Sequence, residues 1–236
     1  MRIEVDGTIF DVKKGNLLEI LLDLGFEIPH ICYHKAVGSY GACRLCIVEI
    51  EVNGEWRVVT SCSTEVRSGM KVRTNSRRIE DLRKGIIELL AKYTSSDLVE
   101  NLASRYGIAV EGERRCILCG LCVNVCSIMG AHAISFEGRG IEKRVSPPFE
   151  IETEICRGCL ACVNICPTGA IRFDEKGEIV VEKLIVAHHE MLECSICGRS
   201  VISKKHAESI GMMEIICDRC KRQIAAREYA KSMKIE

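Results

Sequence analysis

Apolar and polar residues alternate from Arg2 to Val5 and again from Thr8 to Val12, with Asp6-Gly7 between them. Period-two alternation broken by Asp-Gly predicts a β-hairpin. Asn16 stands before the apolar run LLEILLDLG, which Gly25 ends, so a short capped helix follows. Ile47–Val52 and Trp56–Thr60 flank Asn53-Gly54 and predict a second hairpin, and Met70–Thr74 adds a closing strand. The pattern then changes period: RRIEDLRKGIIELLAKY places its apolar residues at helical spacing, and Ser95-Ser96 offers a cap to DLVENLASRYG, which ends at a glycine. Gln223 to Ser232 reads as a terminal helix of mixed charge, a solvated or partner-facing surface.

Sixteen cysteines in 236 residues change this picture. Such density suits a secreted disulfide scaffold or an intracellular metalloprotein. The first residues, MRIEVDGTIFDV, lack the basic start and long apolar run of a signal peptide, and no stretch approaches the roughly 18 to 20 apolar residues that span a bilayer. The expectation is a cytoplasmic protein without membrane insertion, whose reduced thiols serve as metal ligands. Lys+Arg and Asp+Glu balance at 33 each, which gives no electrostatic argument for nucleic acid.

The first cysteine ladder, Cys32, Cys43, Cys46 and Cys62, has the spacing C-x10-C-x2-C-x15-C and falls in the loop between the two hairpins and just beyond. Two hairpins packed on a helix, with cysteines in the intervening loop, is the pattern of a β-grasp ferredoxin. Four thiolates around a tight central C-x2-C suit a 2Fe-2S rhomb, with each iron taking two sulfurs; a zinc site or ordinary buried cysteines are the competing readings. Gly38 and Gly41 precede Cys43, where a Cβ is expected to obstruct close wrapping of the backbone. His30 and His34 bracket Cys32 but do not follow the ligand order of a Rieske site, so they are read as supporting or surface residues.

Residues 112–183 contain an internal repeat, CILCGLCVNVCSIMGAHAISF against CRGCLACVNICPTGAIRF, offset by 40 residues. C-x2-C-x2-C-x3-C written twice is the spacing of a bacterial-type two-cluster ferredoxin, in which the fourth cysteine of each motif joins the other cluster. Cys116, Cys119, Cys122 and Cys166 are thus expected to hold one 4Fe-4S cubane, and Cys156, Cys159, Cys162 and Cys126 the second. Ser127 replaces the usual proline after Cys126, and the loop before Ala133-Ile134 is three residues longer than its counterpart before Ala170-Ile171. His132 in that loop is read as a surface residue. Glu137–Phe149 reads as a loop or hairpin joining the repeats.

The last ladder, Cys194, Cys197, Cys217 and Cys220, consists of two C-x2-C knuckles 19 residues apart. That pattern predicts a structural zinc held by four thiolates, with a third cubane as the competing reading. A closed four-thiolate site leaves His188, His189 and His206 nothing to do there.

The run IPHICYHKAVGSYGACRLCIVEIE, with the later TSC at Thr60–Cys62, resembles the N-terminal domain of the large iron-sulfur subunit of NADH dehydrogenase, a domain also found in NAD-linked [NiFe] hydrogenases and electron-bifurcating hydrogenases. The resemblance implies that Cys32, Cys43, Cys46 and Cys62 bind a 2Fe-2S cluster. That family carries one histidine and three cysteines in the segment corresponding to Arg77–Gly107, where this chain has neither residue type, so that extra cluster is expected to be absent.

These readings predict an α+β chain with a β-grasp 2Fe-2S ferredoxin domain (1–75), a helical linker (76–111), a two-cluster 4Fe-4S ferredoxin domain (112–185) and a zinc-ribbon-like C-terminal module (186–236). No G-x-G-x-x-G and no P-loop occur. A chain made almost entirely of cluster ligands is expected to have no catalytic residues and to pass electrons between other subunits. By resemblance those are a flavin/NAD(P)H-binding iron-sulfur subunit and a hydrogenase module. An equivalent relay in a formate dehydrogenase is the nearest alternative, and a non-redox zinc adaptor the alternative from another class.

Overall fold

The computed structural model describes residues 1–174 and 176–233, so the last three residues of the expected C-terminal module lie outside the described residues. Strands β1 (Arg2–Val5) and β2 (Thr8–Asp11) pair antiparallel with Val5 opposite Thr8. Asp6 and Gly7 both take positive φ, 49° and 83°, the geometry that matches a tight hairpin turn to strand twist. Helix α1 (Leu17–Asp23) begins at Asn16, whose side-chain oxygen accepts from the amides of Leu18 and Glu19. Two-residue strands β3 (Tyr33–His34) and β4 (Gly38–Ser39) shape the loop that follows Cys32. Strands β5 (Ile47–Val52) and β6 (Glu55–Thr60) form the second hairpin around Asn53-Gly54, again with two positive φ values.

Strand β7 (Lys71–Arg73) departs from expectation. It does not close the sheet but lies at its centre, in the order β2-β1-β7-β5-β6, parallel to β1 and antiparallel to β5. A three-residue strand with one buried side chain, Val72, carries no local signal of centrality. Its place is set by backbone partners on both sides. The sheet packs on α1 through a core of Ile3, Val5, Leu17, Leu18, Leu21, Val48 and Val72, which also contains Cys46 and Cys62.

Helix α2 (Arg77–Tyr93) is capped by Ser76 and α3 (Asp97–Ser104) by Ser96, the latter as predicted. The inward face of α2 is Ile79, Arg83, Ile87 and Ala91, four residues apart and therefore on one stripe. An arginine in that stripe was not foreseen. Helix α4 (Leu121–Ile128) starts inside the first repeat motif.

The described chain divides into two compact units, Met1–Val125 with Ile165–Ala170, and Cys126–Asn164 with Ile171–Glu236. The second unit contains the hairpin β8 (Ser135–Glu137) and β9 (Arg144–Ser146), in the segment expected to join the repeats. Helix α5 (Ala161–Ile165) lies in the second repeat motif. A meander of β10 (Ile171–Phe173), β11 (Glu178–Val181) and β12 (Leu184–His188) follows, then the hairpin β13 (Met191–Glu193) and β14 (Ser200–Ser203). Helix α6 (Lys204–Ser209) and helix α7 (Asp218–Ser232) complete it. Helix α7 starts five residues before the predicted Gln223, because the second knuckle itself forms its first turn. Among the described residues no helix is long and apolar enough to cross a membrane.

Candidate metal centres

No disulfide links the cysteines, which the sequence sorts ladder by ladder and motif by motif into four groups. In the first, the Cys32 sulfur lies in hydrogen-bond reach of the Cys43 and Cys62 thiols, and that of Cys46 in reach of Cys62. Cys32, Cys46 and Cys62 are buried. Thiol donation from Cys43 and then Cys62 pulls Cys32 down to about 2, while Cys43 is pushed up by its bond to Cys32 and then by burial. Cys46 is lowered to about 6, chiefly by the Cys62 thiol. Thiols that share protons this closely form a donor set in which a bound cation can replace the protons.

Further donors point at these sulfurs. The Cys43 amide lies 3.4 Å from Cys32 Sγ, and Ser39 Oγ donates to Cys62 Sγ at 3.0 Å. Asn16 spans helix and loop, since the side chain that caps α1 also donates to the Cys62 carbonyl at 2.7 Å. Gly38 and Gly41 correct one expectation: protein atoms leave open space where a Cβ would stand, and their positive φ, 83° and 69°, is what calls for glycine. His34 is exposed and accepts from the Ala36 amide through Nδ1, and His30 Nδ1 contacts the Ile28 carbonyl.

Arg83 was missed by sequence reasoning. It is 4% exposed, and its guanidinium donates to the carbonyls of Leu45 at 3.3 Å and Ile47 at 2.9 Å, on either side of Cys46. Its remaining partner is Glu80, at 3.2 Å. A buried cation is thereby satisfied by carbonyls that the cysteine loop could not pair internally.

Cys116, Cys119 and Cys166 form part of the second group. Burial pushes the Cys119 thiol up to about 11, and nearby charge on Cys166, Cys116 and Cys32 acts in the same direction. The amide of Leu121 faces the Cys119 sulfur, and Thr168 Oγ1 lies 3.7 Å from Cys166 Sγ. Cys32, Cys43 and Cys119 belong to one core with Ile31, Leu45, Ile87, Ala91, Val99, Ala103 and Leu121. The first two groups thus meet across apolar side chains supplied by α2 and α3.

In the third group, burial drives Cys162 up to about 12, with the charges of Cys156, Cys126 and Cys159 adding to it. Cys126 thus acts on Cys156 and Cys162 of the second motif. The Ala133 amide lies 3.2 Å from Cys126 Sγ, and the Gly158 amide faces Cys156. His132 is exposed. His189 proves to be turned away from the last ladder, with Nε2 3.4 Å from Cys156 Sγ. Nothing in the local sequence signalled that contact.

The fourth group is the most compact: the sulfurs of Cys194, Cys197, Cys217 and Cys220 all lie within 4.8 Å of one another, with Cys197 and Cys217 at 3.7 Å. A tetrahedral zinc with bonds of about 2.3 Å sets its sulfurs about 3.8 Å apart. Among the described residues this is the one set of three or more such ligand atoms packed so closely. The Cys217 amide, the foremost influence, holds Cys194 down to about 6. The first knuckle sits on the β13–β14 hairpin and the second opens α7.

The donor sets fit metal centres: buried or half-buried thiols met by backbone amides in the first three groups, and four thiols closing on one point, also met by an amide, in the last. Residues 1–77 match the family described as 2Fe-2S iron-sulfur cluster binding domain, and residues 115–170 the 4Fe-4S dicluster domain. The chain is 29% identical over 223 residues to NADP-reducing hydrogenase subunit HndD of Solidesulfovibrio fructosivorans, an alignment covering 78% of this chain and 38% of that protein. It is 32% identical over 201 residues to the NADPH-Fe(3+) oxidoreductase subunit alpha of Geobacter sulfurreducens, covering 72% and 24%. It therefore spans roughly a quarter to two fifths of the length of these curated relatives. A chain of the crystal structure of NAD+-reducing [NiFe]-hydrogenase in the H2-reduced state superposes with a TM-score of 0.54 at 30% identity, covering 62% of this chain and 74% of that one.

Proposed function

We infer function from membership: this chain belongs to the family of iron-sulfur electron-transfer subunits shared by NAD(P)-linked hydrogenases and NADH dehydrogenases. It is a relay subunit of an NAD(P)-linked oxidoreductase complex. Our reading assigns Cys32, Cys43, Cys46 and Cys62 to a 2Fe-2S cluster. Cys116, Cys119, Cys122 and Cys166 take one 4Fe-4S cluster, and Cys156, Cys159, Cys162 and Cys126 another. Cys194, Cys197, Cys217 and Cys220 take zinc. When bound, the iron-sulfur clusters supply one-electron carriers whose potentials follow hydrogen bonding and solvent exposure.

The residues of the chain do the rest. Thiolates fix the carriers, amides and hydroxyls such as Ser39 satisfy their sulfurs, and the apolar side chains around Cys32 and Cys119 exclude water between two neighbouring sites. The observation that supports the reading is that shared core, in which cysteines of two different motifs lie together among buried apolar side chains. The inward faces of α2 and α3, with Ile87, Ala91, Val99 and Ala103 but no thiol or imidazole, fit the loss of the additional family cluster. The partners in this reading are a flavin/NAD(P)H-binding iron-sulfur subunit and a soluble [NiFe] or electron-bifurcating hydrogenase module. The chain itself contributes no catalytic group.

Metal analysis of anaerobically purified chain, with EPR after reduction, tests this. About ten irons, about ten labile sulfides and one zinc are expected. About fourteen irons without zinc would turn the last site into a further cluster. A colourless protein with zinc throughout would overturn the relay.

A further inference from the structure

The internal repeat provides a comparison within one chain. Residues 118 and 158 correspond across the 40-residue offset, and both adopt the left-handed conformation, Leu118 with φ 54° and Gly158 with φ 68°. Since leucine holds that turn in the first motif, the turn alone does not require glycine in the second. A Cβ at 158 would stand 2.3 Å from Ser203 Oγ, 2.8 Å from Ser203 Cβ and 2.9 Å from His189 Cγ. Gly158 makes room for the His189 ring to reach Cys156.

The ring is held there from several sides. The His189 amide donates to the Gly177 carbonyl at 2.7 Å. The next residue, Glu190, accepts from the Lys204 amide at 2.9 Å and pairs with Lys204 Nζ at 3.0 Å. Ser203 Oγ donates to the Arg157 carbonyl at 3.3 Å, and Lys205 Nζ donates to the Glu154 carbonyl, which anchors the start of α6 to the Cys156 motif. Two anchors fall within the cysteine motif or two residues before it, so the C-terminal hairpin and α6 act as a buttress for one imidazole. A metal-bound thiolate has no proton to give, so in the Nε2···Sγ contact of 3.4 Å the ring nitrogen is the donor.

We propose that His189 is a positioning residue that donates a hydrogen bond to Cys156 Sγ and thereby raises the reduction potential of the centre held by Cys126, Cys156, Cys159 and Cys162. Reduction adds negative charge to the cluster and its sulfurs, so a donor at Sγ stabilises the reduced state more than the oxidised one. The inference rests on the assignment of those four cysteines to a 4Fe-4S cluster. It gives the C-terminal module a role in tuning an electron carrier as well as binding its own ion.

The test is a potentiometric titration of the full chain, reconstituted anaerobically and followed by EPR, for wild type, His189→Leu and His189→Gln. Leucine fills the space without a donor and is expected to shift the reduction equilibrium of one cubane about tenfold towards the oxidised form, or about 59 mV for one electron. Glutamine keeps an N–H donor and should recover most of the shift, while the 2Fe-2S potential stays fixed in both. Full iron content with unmoved potentials in His189→Leu would overturn the inference. If His189→Leu instead loses about four irons, the deciding measurement is ENDOR of reduced wild type with 15N-histidine. A coupled histidine nitrogen that persists when His30 and His34 are replaced sustains the donor, and its absence overturns it. Wild type with only about six irons would fail the cluster assignment itself, a result separable from an unmoved potential.

Discussion

Replacing Arg83 tests how the helical segment supports the first cysteine loop. Arg83→Leu strips the donors from the Leu45 and Ile47 carbonyls, which lie on either side of Cys46, while keeping an apolar group on the α2 stripe. Each buried acceptor left unpaired costs about 1–3 kcal/mol, and relief of the buried charge offsets part of that, giving a net loss of about 3 kcal/mol. At about 2–4 °C per kcal/mol for a chain of this size, the midpoint should fall by about 6–12 °C. Arg83→Lys can reach only one carbonyl as a point donor and should lose about half as much. Trp56, the single tryptophan, lies in β6 with Arg73 over its ring at 3.8 Å, so urea unfolding followed by its fluorescence reports the same sheet. Because the loop holds Cys46, 2Fe-2S occupancy should fall with stability. A loss below about 1 kcal/mol for Arg83→Leu, or equal losses for Leu and Lys, would refute the carbonyl-pairing argument.

Other consequences can be checked in the same way. Gly120 has φ 80°, and a Cβ there would meet the Tyr40 ring at 2.8 Å, so Gly120→Ala should cost about 2–4 kcal/mol from backbone strain plus overpacking. Adding Tyr40→Ala should recover the steric part alone, and strict additivity in that double-mutant cycle would refute the contact. Helix α7 buries only Cys220, so an ion held by Cys194, Cys197, Cys217 and Cys220 would be its anchor. Chelation should abolish amide-exchange protection across Asp218–Ser232 while β1–β7 remain protected, and retained protection would show that the helix stands without metal. His188 is held between Glu152 and Glu178, which raise its pKa above the ordinary 6.5, while the His188 side chain lowers Glu152 below 4.5. The raised histidine stabilises the network below about 6.5 and that contribution is lost as pH rises through its folded value; the lowered carboxylate stabilises above about 4.5 and is lost as pH falls. Protection of the His188 amide, which donates to Glu152 at 2.7 Å, should therefore peak between those values, and a flat profile identical to that of Glu152→Gln would exclude the pair.

Much of the fold was legible where short-range geometry controls it. Asp6-Gly7 and Asn53-Gly54 specify hairpins because both residues must take positive φ, and Asn16 and Ser96 start helices because their side chains reach amides two or three residues ahead. Cysteine spacing is similarly local: C-x2-C brings two sulfurs around one turn whatever surrounds it. The tertiary structure decided what depends on residues distant in sequence. Val72 belongs to a central strand because β1 and β5 both pair with it, and the steric role expected for Gly38 and Gly41 gave way to a demand on φ. Arg83 is buried because two carbonyls 36 and 38 residues away need its donors. His189 faces Cys156, 33 residues back, because a glycine in one motif leaves the space that a hairpin from another fills. Backbone dihedrals and near-neighbour hydrogen bonds are written residue by residue, whereas packing and the pairing of buried polar groups exist only once distant segments have come together.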